Sequence, residues 1–270
     1  MDPGSQRRLG AGLLPGNRLG QNPPAPRDTG TVKSLQLKRE HRRWYVIVIT
    51  ETEPVPLPAT GREVGVDVGV ARFLTTSDGQ VVGNPRFLAG SADVIADLQR
   101  RKSRARPGSG NRIGRALARQ WRKVWNRRRD FHHKTARMLV DECDVIALEE
   151  LNMAGMTRRP APKPDPQNPG AYLPNQAAAK AGLNTSILDA AWHQFTCILI
   201  GKAEEAARRV VLVNPAGTSI TCHQCGARCA RPRQDTVICP ACGLMHADVN
   251  SAISIASRAG LGSGQATGAA

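Results

Sequence analysis

Four cysteines near the carboxyl end of the chain have the spacing of metal ligands. They form two Cys-x-x-Cys pairs separated by thirteen residues, namely Cys222, Cys225, Cys239 and Cys242. Each pair can offer two thiolates from one tight turn, and four thiolates complete a tetrahedron around Zn²⁺. Because cysteine fills all four positions, none is left for a catalytic water, and we predict a structural zinc ribbon over residues 217–244. The alternative is a disulfide or a chance spacing, which the odd total of seven cysteines disfavours.

Three acidic residues could hold a second kind of metal. Asp67 interrupts an apolar run, Glu149 directly follows another, and Asp248 comes just after the second cysteine pair. A carboxylate in an apolar strand is costly unless a cation or hydrogen-bond donors meet it. If the two runs are neighbouring parallel strands, their carboxyl ends converge at one edge of the sheet. Gathered carboxylates suit Mg²⁺, and two such ions ~3.5–4 Å apart could promote hydrolysis of a phosphodiester.

Each of these acids also has a plain structural interpretation. Asp67 could cap a turn, Glu149 could be an exposed residue at a strand end, and Asp248 could be a helix N-cap. Glu150 adds an ambiguity, because neighbouring residues of a strand face opposite sides and just one of the two glutamates can face a metal. The sequence contains no G-x-S-x-G, Walker or G-x-G-x-x-G motif that would indicate another chemistry.

Positive charge is concentrated in one window of the chain. The net charge is +16 over 270 residues, and residues 100–137 hold fifteen Lys or Arg against a single acid, Asp130. A phosphate backbone is the most natural partner for such a concentration, ahead of an anionic membrane or a solvated helix face. The residues that we expect to contact nucleic acid are Arg112, Arg115, Arg119, Arg122, Lys123, Arg127 and Arg129.

The first half of the chain reads as a strand meander followed by helix. Apolar runs at 32–38 and 44–50 predict a hairpin, and those at 63–69, 71–77 and 80–82 predict a buried strand followed by a second hairpin. Residues 94–140 repeat apolar side chains at intervals of three and four. This pattern predicts one long amphipathic helix, or two with a break at Pro107-Gly108, with the apolar stripe in the core and the arginines outside.

The remaining elements alternate between strand and helix. They are strands at 145–148 and 210–213, a helix capped by Asn184 that runs to about residue 208, and a helix at 249–258. Together with the meander, this order predicts an α/β fold in which helices flank a mixed sheet.

Six segments of the sequence carry a family likeness: GREVGVDVGVARFLTTSDG, RRRDFHHK, VIALEELNMAGM, NTSILDAAWHQF, VNPAGTSITCHQCG and CPACGLMHADVNSA. They resemble the OrfB/TnpB transposon-encoded proteins, relatives of the type V CRISPR nucleases, and the likeness covers residues 32–257. The resemblance implies an RNase H-like domain of the RuvC type, with the four-cysteine zinc ribbon inserted before its last helix. It also implies Mg²⁺-dependent cleavage of DNA, with guide RNA as a second partner.

The resemblance assigns roles to the candidate residues. By their positions in the family's motifs, Asp67, Glu149 and Asp248 would be the catalytic acids that bind Mg²⁺, which favours Glu149 over Glu150. The four paired cysteines would be the zinc ligands. One position departs from the family pattern, because Gly217 stands where an aromatic residue is usual.

The resemblance also suggests domain boundaries. Full-length members begin with a wedge domain and a helical recognition region, and this sequence lacks most of both. The expected segments are a disordered start (1–30), a hairpin remnant of the wedge (31–58), RuvC-like parts at 61–156, 184–216 and 245–260, a proline-rich insertion (157–183), the zinc ribbon (217–244) and a flexible tail (261–270).

We therefore predict a Mg²⁺-dependent DNA endonuclease of the transposase family, RNA-guided in its full-length relatives. The alternative is a truncated, non-catalytic protein that binds DNA or RNA. An actin-like phosphotransferase would need a second phosphate loop besides the Asp67-x-Gly69 segment, and the sequence offers none. Because no apolar run approaches about 18 residues and no secretory signal is present, we expect a cytoplasmic, nucleoid-associated bacterial protein without membrane association.

Overall fold

The computed structural model describes residues 7–14, 30–40, 43–106 and 110–262, the first of these segments by its backbone alone. The chain divides into two units. The smaller consists of residues 1–56 with Glu205–Ala207, and the larger consists of Leu57–Glu204 with residues 208–270.

The smaller unit contains a three-stranded antiparallel sheet. Strand β3 (Arg43–Glu51) lies between β1 (Arg7–Leu14) and β2 (Thr31–Glu40), and the predicted β2–β3 hairpin is confirmed. The central strand is rich in β-branched and aromatic residues, which favour extended backbone. Strand β1 lies within the segment predicted to be disordered (residues 1–30), and its backbone pairs with β3 along its whole length. The rest of residues 1–29 lies outside the described residues.

A mixed sheet forms the centre of the larger unit. The strands of this part of the chain are β4 (Glu63–Val68), β5 (Arg72–Thr76), β6 (Val81–Gly83), β7 (Val145–Glu149), β8 (Lys163–Pro164), β9 (Tyr172–Leu173) and β10 (Arg209–Val213). Five of them form the sheet in the order β10-β7-β4-β5-β6, while β8 and β9 pair separately. Strands β4, β7 and β10 run parallel, and β5 and β6 are antiparallel to their neighbours. The predicted mixed α/β fold is confirmed.

Six α-helices accompany this sheet in the described part of the chain. They are α1 (Ala92–Ser103), α2 (Gly110–Glu142), α3 (Met153–Met156), α4 (Ala177–Ala190), α5 (Trp192–Glu205) and α6 (Ala247–Arg258). Helices α1 and α2 lie on either side of the break predicted at Pro107-Gly108, although residues 107–109 are outside the described residues. An aromatic cluster joins α2 and α5 to the sheet: the ring of Phe73 on β5 lies 4.9 Å from Phe131, 5.3 Å from His132 and 5.1 Å from Phe195.

The helix predicted to run from Asn184 to residue 208 is wrong in two respects. It begins at Ala177, inside the expected proline-rich insertion, because the alanine-rich segment before Asn184 favours helix. Asn184 therefore caps nothing; its side-chain amide donates a hydrogen bond to the carbonyl of Thr157 (2.7 Å). The helix is also interrupted at Ala191, whose left-handed backbone (φ 51°) ends α4 before α5 begins.

A second small sheet lies between β10 and α6. Its strands β11 (Ala230–Arg233), β12 (Thr236–Cys239) and β13 (Gly243–His246) are antiparallel, in the order β11-β12-β13. After α6, Leu261 is buried against Val145, Val213 and Ile255. The flexible tail predicted from residue 261 is therefore wrong for its first residue, whose side chain fills the core, and residues 263–270 lie outside the described residues.

Candidate metal centres and nucleic-acid surface

Three acidic side chains border one cleft of the larger unit. Asp67 lies on β4, Glu149 is the last residue of β7, and Asp248 lies in the first turn of α6. The cleft has a volume of about 600 Å³. The structure thus brings together the three acids that the sequence singles out, although 181 positions separate the first from the last.

Strand pairing and one glycine explain how the acids meet. Strands β4 and β7 are parallel and pair Val66 with Leu148, so that Asp67 and Glu149 follow next in register. On the other side, a β-carbon on Gly65 would lie 2.1 Å from the carbonyl oxygen of Ala252, so α6 rests directly on the backbone of β4. Asp67 lies two residues beyond Gly65 on the strand and Asp248 lies four residues before Ala252 on the helix, and these spacings keep each acid on the contacting face.

The acidic groups of the cleft outweigh the protein cations beside them, and this raises carboxyl pKa values there. Burial, together with the charges of Glu149 and Asp248, raises the pKa of Asp67 to about 8, while the charge of Arg231 acts in the opposite direction. Burial likewise raises the pKa of Glu149, against a hydrogen bond from Thr218 and the charge of Arg258. A divalent cation would relieve this repulsion, and carboxylate oxygens are the ligands that Mg²⁺ prefers. The donor set therefore fits Mg²⁺.

A buried threonine holds Glu149 in place. The hydroxyl of Thr218, which has no exposed surface, donates to Oε1 of Glu149 and also lies 2.9 Å from the carbonyl oxygen of Pro215. Gly217 precedes it with a φ of 85°, a left-handed conformation that glycine adopts without strain. Glu150 is exposed and does not border the cleft, whereas Glu149 does. Sequence reasoning did not find Thr218, because its role depends on a contact across 69 residues.

The small sheet supplies one wall of the same cleft. Arg231 of β11 lines it, together with Gln234 and Asp235 from the turn before β12. The guanidinium of Arg231 donates to the carbonyl oxygen of Gln234 (Nε to O, 3.2 Å). This places a cation beside three acids. No signal in the sequence distinguishes Arg231 from the neighbouring Arg228 and Arg233, so this residue was also missed.

The four paired cysteines converge as a potential zinc site. Their sulfur atoms all lie within 4.8 Å of one another, and the Sγ atoms of Cys225 and Cys239 are 3.4 Å apart. A tetrahedral zinc–thiolate centre would separate its sulfurs by about 3.8 Å. Gly226 and Gly243, which follow the two pairs, have φ values of 74° and 83° that permit the tight turns. The geometry therefore fits Zn²⁺.

The cysteine cluster and the acidic cleft differ in how closely their ligands are gathered. Among the described residues, the four cysteines are the one group of three or more Cys, His, Asp or Glu side chains that could hold an ion as they stand. The three carboxylates share a cleft without forming such a cage, as expected for groups that repel one another. A fifth thiol, Cys229, is buried beside Cys222 and Cys239.

Helix α2 presents the predicted basic surface. Of the seven residues expected to bind nucleic acid, Arg122 and Arg129 are half-buried. The other five are exposed: Arg112, Arg115, Arg119, Lys123 and Arg127. The apolar stripe of this helix, predicted to lie in the core, differs from the prediction at Trp121, which is 41% exposed; Trp125, one turn further on, is 45% exposed. Arg129 lies over the ring of Trp125, 5.3 Å from its centroid.

Arg128 is the exception to the outward-facing arginines. Its guanidinium NH2 lies 2.7 Å from the carboxylate of Asp189 on α4, and both side chains are largely buried. Asp189 also accepts hydrogen bonds from the backbone nitrogen of Leu88 (3.0 and 3.2 Å). This arginine therefore fastens α2 to α4 and is not part of the basic surface.

Two family profiles match the chain. Residues 46–159 match the OrfB_IS605 family, described as "Probable transposase", and residues 192–255 match a family described as "Cas12f1-like, TNB domain". The first match contains β4 and β7 with Asp67 and Glu149, and the second contains the paired cysteines and Asp248.

Whole-protein relatives point the same way. A protein of Escherichia coli strain K12 named "Putative RNA-guided DNA endonuclease InsQ" is 33% identical over 201 residues, covering 73% of this chain and 48% of that protein. A Streptomyces pristinaespiralis protein named "Putative RNA-guided DNA endonuclease" is 31% identical over 218 residues, covering 79% and 49%. "TnpB-like protein L79" of Acanthamoeba polyphaga mimivirus is 23% identical, covering 80% and 40%.

These matches define a class of transposase-related proteins, the class that the sequence resemblance implied. The chain belongs to the TnpB family. It spans about half the length of the curated relatives it matches, 48% and 49% for the two bacterial proteins.

Solved structures overlap more loosely. A Cas12f1 chain from a cryo-EM complex with sgRNA and target DNA has a TM-score of 0.48 at 14% identity, covering 82% of this chain and 55% of that one. CasPhi-2 (Cas12j) bound to crRNA has a TM-score of 0.44 at 12% identity, covering 95% and 68%. At these scores the likeness adds no argument, and the family assignment rests on the sequence matches. Within the described residues, no helix combines the length and apolarity needed to cross a bilayer.

Proposed function

We propose that this chain is a metal-dependent DNA endonuclease that works at the cleft of Asp67, Glu149 and Asp248. The observation that carries the proposal is the meeting of three sequence-distant acids in one cleft, where burial and mutual repulsion raise the pKa of Asp67 to about 8. Three parallel strands flanked by an antiparallel pair fit the RNase H-like domain of the RuvC type that the family resemblance implies.

Asp67, Glu149 and Asp248 would hold Mg²⁺, and the bound ions would activate water and neutralise the charge that develops on a scissile phosphodiester. The protein's own contribution is to position these groups. Thr218 orients one oxygen of Glu149, and the β4–α6 contact holds Asp248 beside Asp67. Arg231 supplies a cation at the wall of the cleft, where it can contact a phosphate oxygen.

We propose that the small sheet with its four cysteines is a structural zinc ribbon. Four thiolates leave no coordination position for water, so the ion would support folding and would not act on substrate. In this proposal the ribbon's role in hydrolysis is indirect, through the residues that it contributes to the wall of the cleft.

We propose that the exposed cations of α2 bind the nucleic-acid backbone. Fifteen basic residues against one acid in residues 100–137 make a phosphate polymer the natural partner. The exposed Trp121 and Trp125 add aromatic surface to this face, and base stacking on such residues favours single strands. Because the two bacterial relatives are named as RNA-guided endonucleases, we include guide RNA among the proposed partners.

Cleavage by the purified protein tests the proposal. With Mg²⁺ and single-stranded DNA, the wild type is expected to cut, and Asp67→Asn and Glu149→Gln should bind DNA with unchanged affinity but lose at least about 100-fold in cleavage rate. Glu150→Gln is the matched control, because it removes a neighbouring exposed carboxylate that does not border the cleft.

Equal residual cleavage in the two cleft variants would remove the catalytic assignment. A wild type that binds DNA without cutting would instead favour a non-catalytic binder, an interpretation that the spread of the three carboxylates keeps open. Sequencing of RNA that copurifies with the protein from cells would separately test whether a guide is bound.

A further inference from the structure

The side chain of Asn250 links helix α6, which carries Asp248, to the cysteine cluster. Asn250 of α6 is 1% exposed, and its Oδ1 accepts a hydrogen bond from the backbone nitrogen of His223 (3.0 Å). The same oxygen lies 2.9 Å from Nδ1 of His223, and Nδ2 of Asn250 donates to the carbonyl oxygen of Thr221 (2.9 Å). Thr221 and His223 are the two neighbours of Cys222, so this amide holds the backbone on both sides of a proposed zinc ligand.

A second contact fixes the start of the same helix to the cluster. Ala247, which has no exposed surface, packs in one buried group with Cys222, Cys229 and Cys239. Its backbone nitrogen also donates to the carbonyl oxygen of Asp235 (2.9 Å), in the turn that lines the acidic cleft. Asp248 lies between Ala247 and Asn250, so the residues on both sides of this acid are held by the segment that carries the four cysteines.

These contacts make the position of Asp248 depend on the order of the cysteine turn. Thr221 and His223 hold Asn250 in place only as long as the turn around Cys222 keeps its shape. Coordination of a zinc ion by the four thiolates would fix that shape. If the turn loosens, the buried amide is left without its partners and the first turn of α6 is left without its anchor. Coupling of this kind is reciprocal, so ordering the acidic cleft should in turn steady the cysteine turn.

We infer that Asn250 is a positioning residue that couples metal occupancy of the four-cysteine cluster to the placement of Asp248 in the acidic cleft. The inference rests on the proposed function, because it treats the two clusters as metal sites. It adds that metal binding in the cleft depends on zinc in the ribbon, because the zinc keeps Asp248 within reach of the ions that Asp67 and Glu149 would bind.

The test compares Asn250→Ala with the wild type, using two measurements that do not require cleavage. Zinc release is followed with a colorimetric chelator, and Mn²⁺ binding to the folded, zinc-loaded protein is followed by electron paramagnetic resonance. We expect Asn250→Ala to release zinc about tenfold faster and to bind Mn²⁺ about tenfold more weakly, because it removes buried hydrogen bonds on both sides of Cys222. Saturating Mg²⁺ should slow zinc release from the wild type but not from Asn250→Ala.

Two reference variants separate the possible outcomes. Asn175→Ala is the matched control, because it also removes an amide-to-carbonyl hydrogen bond (to Ala161, 2.9 Å) but lies in the proline-rich segment, and it should change neither measurement. Asp248→Asn should weaken Mn²⁺ binding without speeding zinc release in the absence of Mg²⁺. If Asn250→Ala does not fold, Asn250→Ser replaces it.

The inference is overturned if Asn250→Ala retains wild-type Mn²⁺ affinity, whether or not it releases zinc faster. A different result identifies failure of the proposed function. If Asp248→Asn leaves Mn²⁺ binding unchanged, the cleft is not a metal site, and faster zinc release from Asn250→Ala would then report on the hydrogen bonds alone.

Discussion

Gly65 and Ala252 touch so closely that a β-carbon on the glycine would lie 2.1 Å from the alanine's carbonyl oxygen and 2.6 Å from the nitrogen of Ala256. Strand β4 and helix α6 therefore pack backbone against backbone. Because Asp67 and Asp248 lie a short, fixed spacing from this contact, their separation depends on a residue without a side chain.

Replacing Gly65 with alanine should push α6 away from the sheet. The new methyl group meets backbone atoms that cannot turn aside, so we expect a loss of about 1–3 kcal/mol in the free energy of unfolding, measured by urea denaturation. DNA cleavage should fall by more than the folded fraction does. Gly83→Ala is the control, because a β-carbon there would meet nothing within 4 Å, and equal behaviour of the two variants would contradict the close-contact argument.

Thr218→Val should free Glu149 while preserving the shape of the buried side chain. Without the hydroxyl that donates to its Oε1, the pKa of Glu149 should rise further, and the carboxylate should sample other orientations. We expect cleavage to slow by about tenfold at saturating DNA, with DNA affinity unchanged. Thr218→Ser restores the hydroxyl and should recover most of the rate; failure of this rescue would assign the effect to packing.

Arg231→Gln should affect rate and metal binding in opposite directions. The positive charge of Arg231, which also lowers the pKa of Asp67, repels a bound cation, so its removal should tighten Mn²⁺ binding at a pH where Asp67 is ionised. Hydrolysis should nevertheless fall by about 100-fold if Arg231 stabilises charge on the phosphate. Arg233→Gln removes an exposed arginine from the same strand and should alter neither quantity. Weaker Mn²⁺ binding in Arg231→Gln would show that the side chain supports the fold of the wall instead.

The basic surface of α2 should show itself in salt dependence. The logarithm of the DNA-binding constant falls linearly with the logarithm of the salt concentration. If Arg119 and Lys123 each bind one phosphate, then Arg119→Gln or Lys123→Gln should make this slope less negative by about 0.7 for single-stranded DNA. Arg137→Gln is the matched control on the same helix, because its charge is already paired with Asp141 (2.7 Å). Slopes that do not differ between Arg119→Gln and Arg137→Gln would exclude α2 as the contact surface.

Stability should fall in acid because of His132. This residue is 1% exposed. Burial, together with the charges of Arg128 and His133, lowers its pKa to about 4, against the opposing effect of the carbonyl oxygen of Ala190, which lies 3.0 Å from Nε2. In the unfolded chain His132 is protonated near pH 6.5, whereas in the folded protein it is protonated only near pH 4. Acidification through this interval therefore favours unfolding.

From this difference in pKa between the folded and unfolded states, we expect acidification over the interval to lower the free energy of unfolding by about 3 kcal/mol. In His132→Gln, which keeps a hydrogen-bond donor at the end of the side chain, the free energy of unfolding should depend less steeply on pH over the same interval. Denaturant titrations at a series of pH values would measure the difference, and parallel curves for the two proteins would refute the assignment.

Patterns of neighbouring residues in the sequence were sufficient to predict the buried strands and the cysteine cluster. The parallel strands before Asp67 and Glu149 are continuous apolar runs because they are buried on both faces, and the paired cysteines have a spacing that few other structures require. Such signals lie within a few residues of one another. The mixed sheet follows from the order of these local elements. The gathering of the three acids was expected for another reason: the carboxyl ends of parallel strands converge at one edge of a sheet, and the family resemblance assigned Asp248 to the same site.

The features that escaped prediction depend on contacts between distant parts of the chain. Asn184 looks like a helix cap, but its amide binds the carbonyl of Thr157, and the helix extends past it in both directions. Arg128 looks like one more surface cation until Asp189 is found beside it. The roles of Thr218 and Arg231 likewise depend on Glu149 and Asp67, which are distant in sequence, and no periodicity or motif predicts them.

The two ends of the proline-rich segment between α3 and α4 lie close together. Lys180 donates from Nζ to the carbonyl oxygen of Met156 (2.5 Å), and Asn184 donates to that of Thr157, so its two ends are fastened together. The entropy of closing a loop grows slowly with its length once its ends are fixed. Residues 158–176 therefore form a natural insertion site, where a reporter peptide or a small foreign domain can be inserted while Glu149, on the strand just upstream, keeps its position.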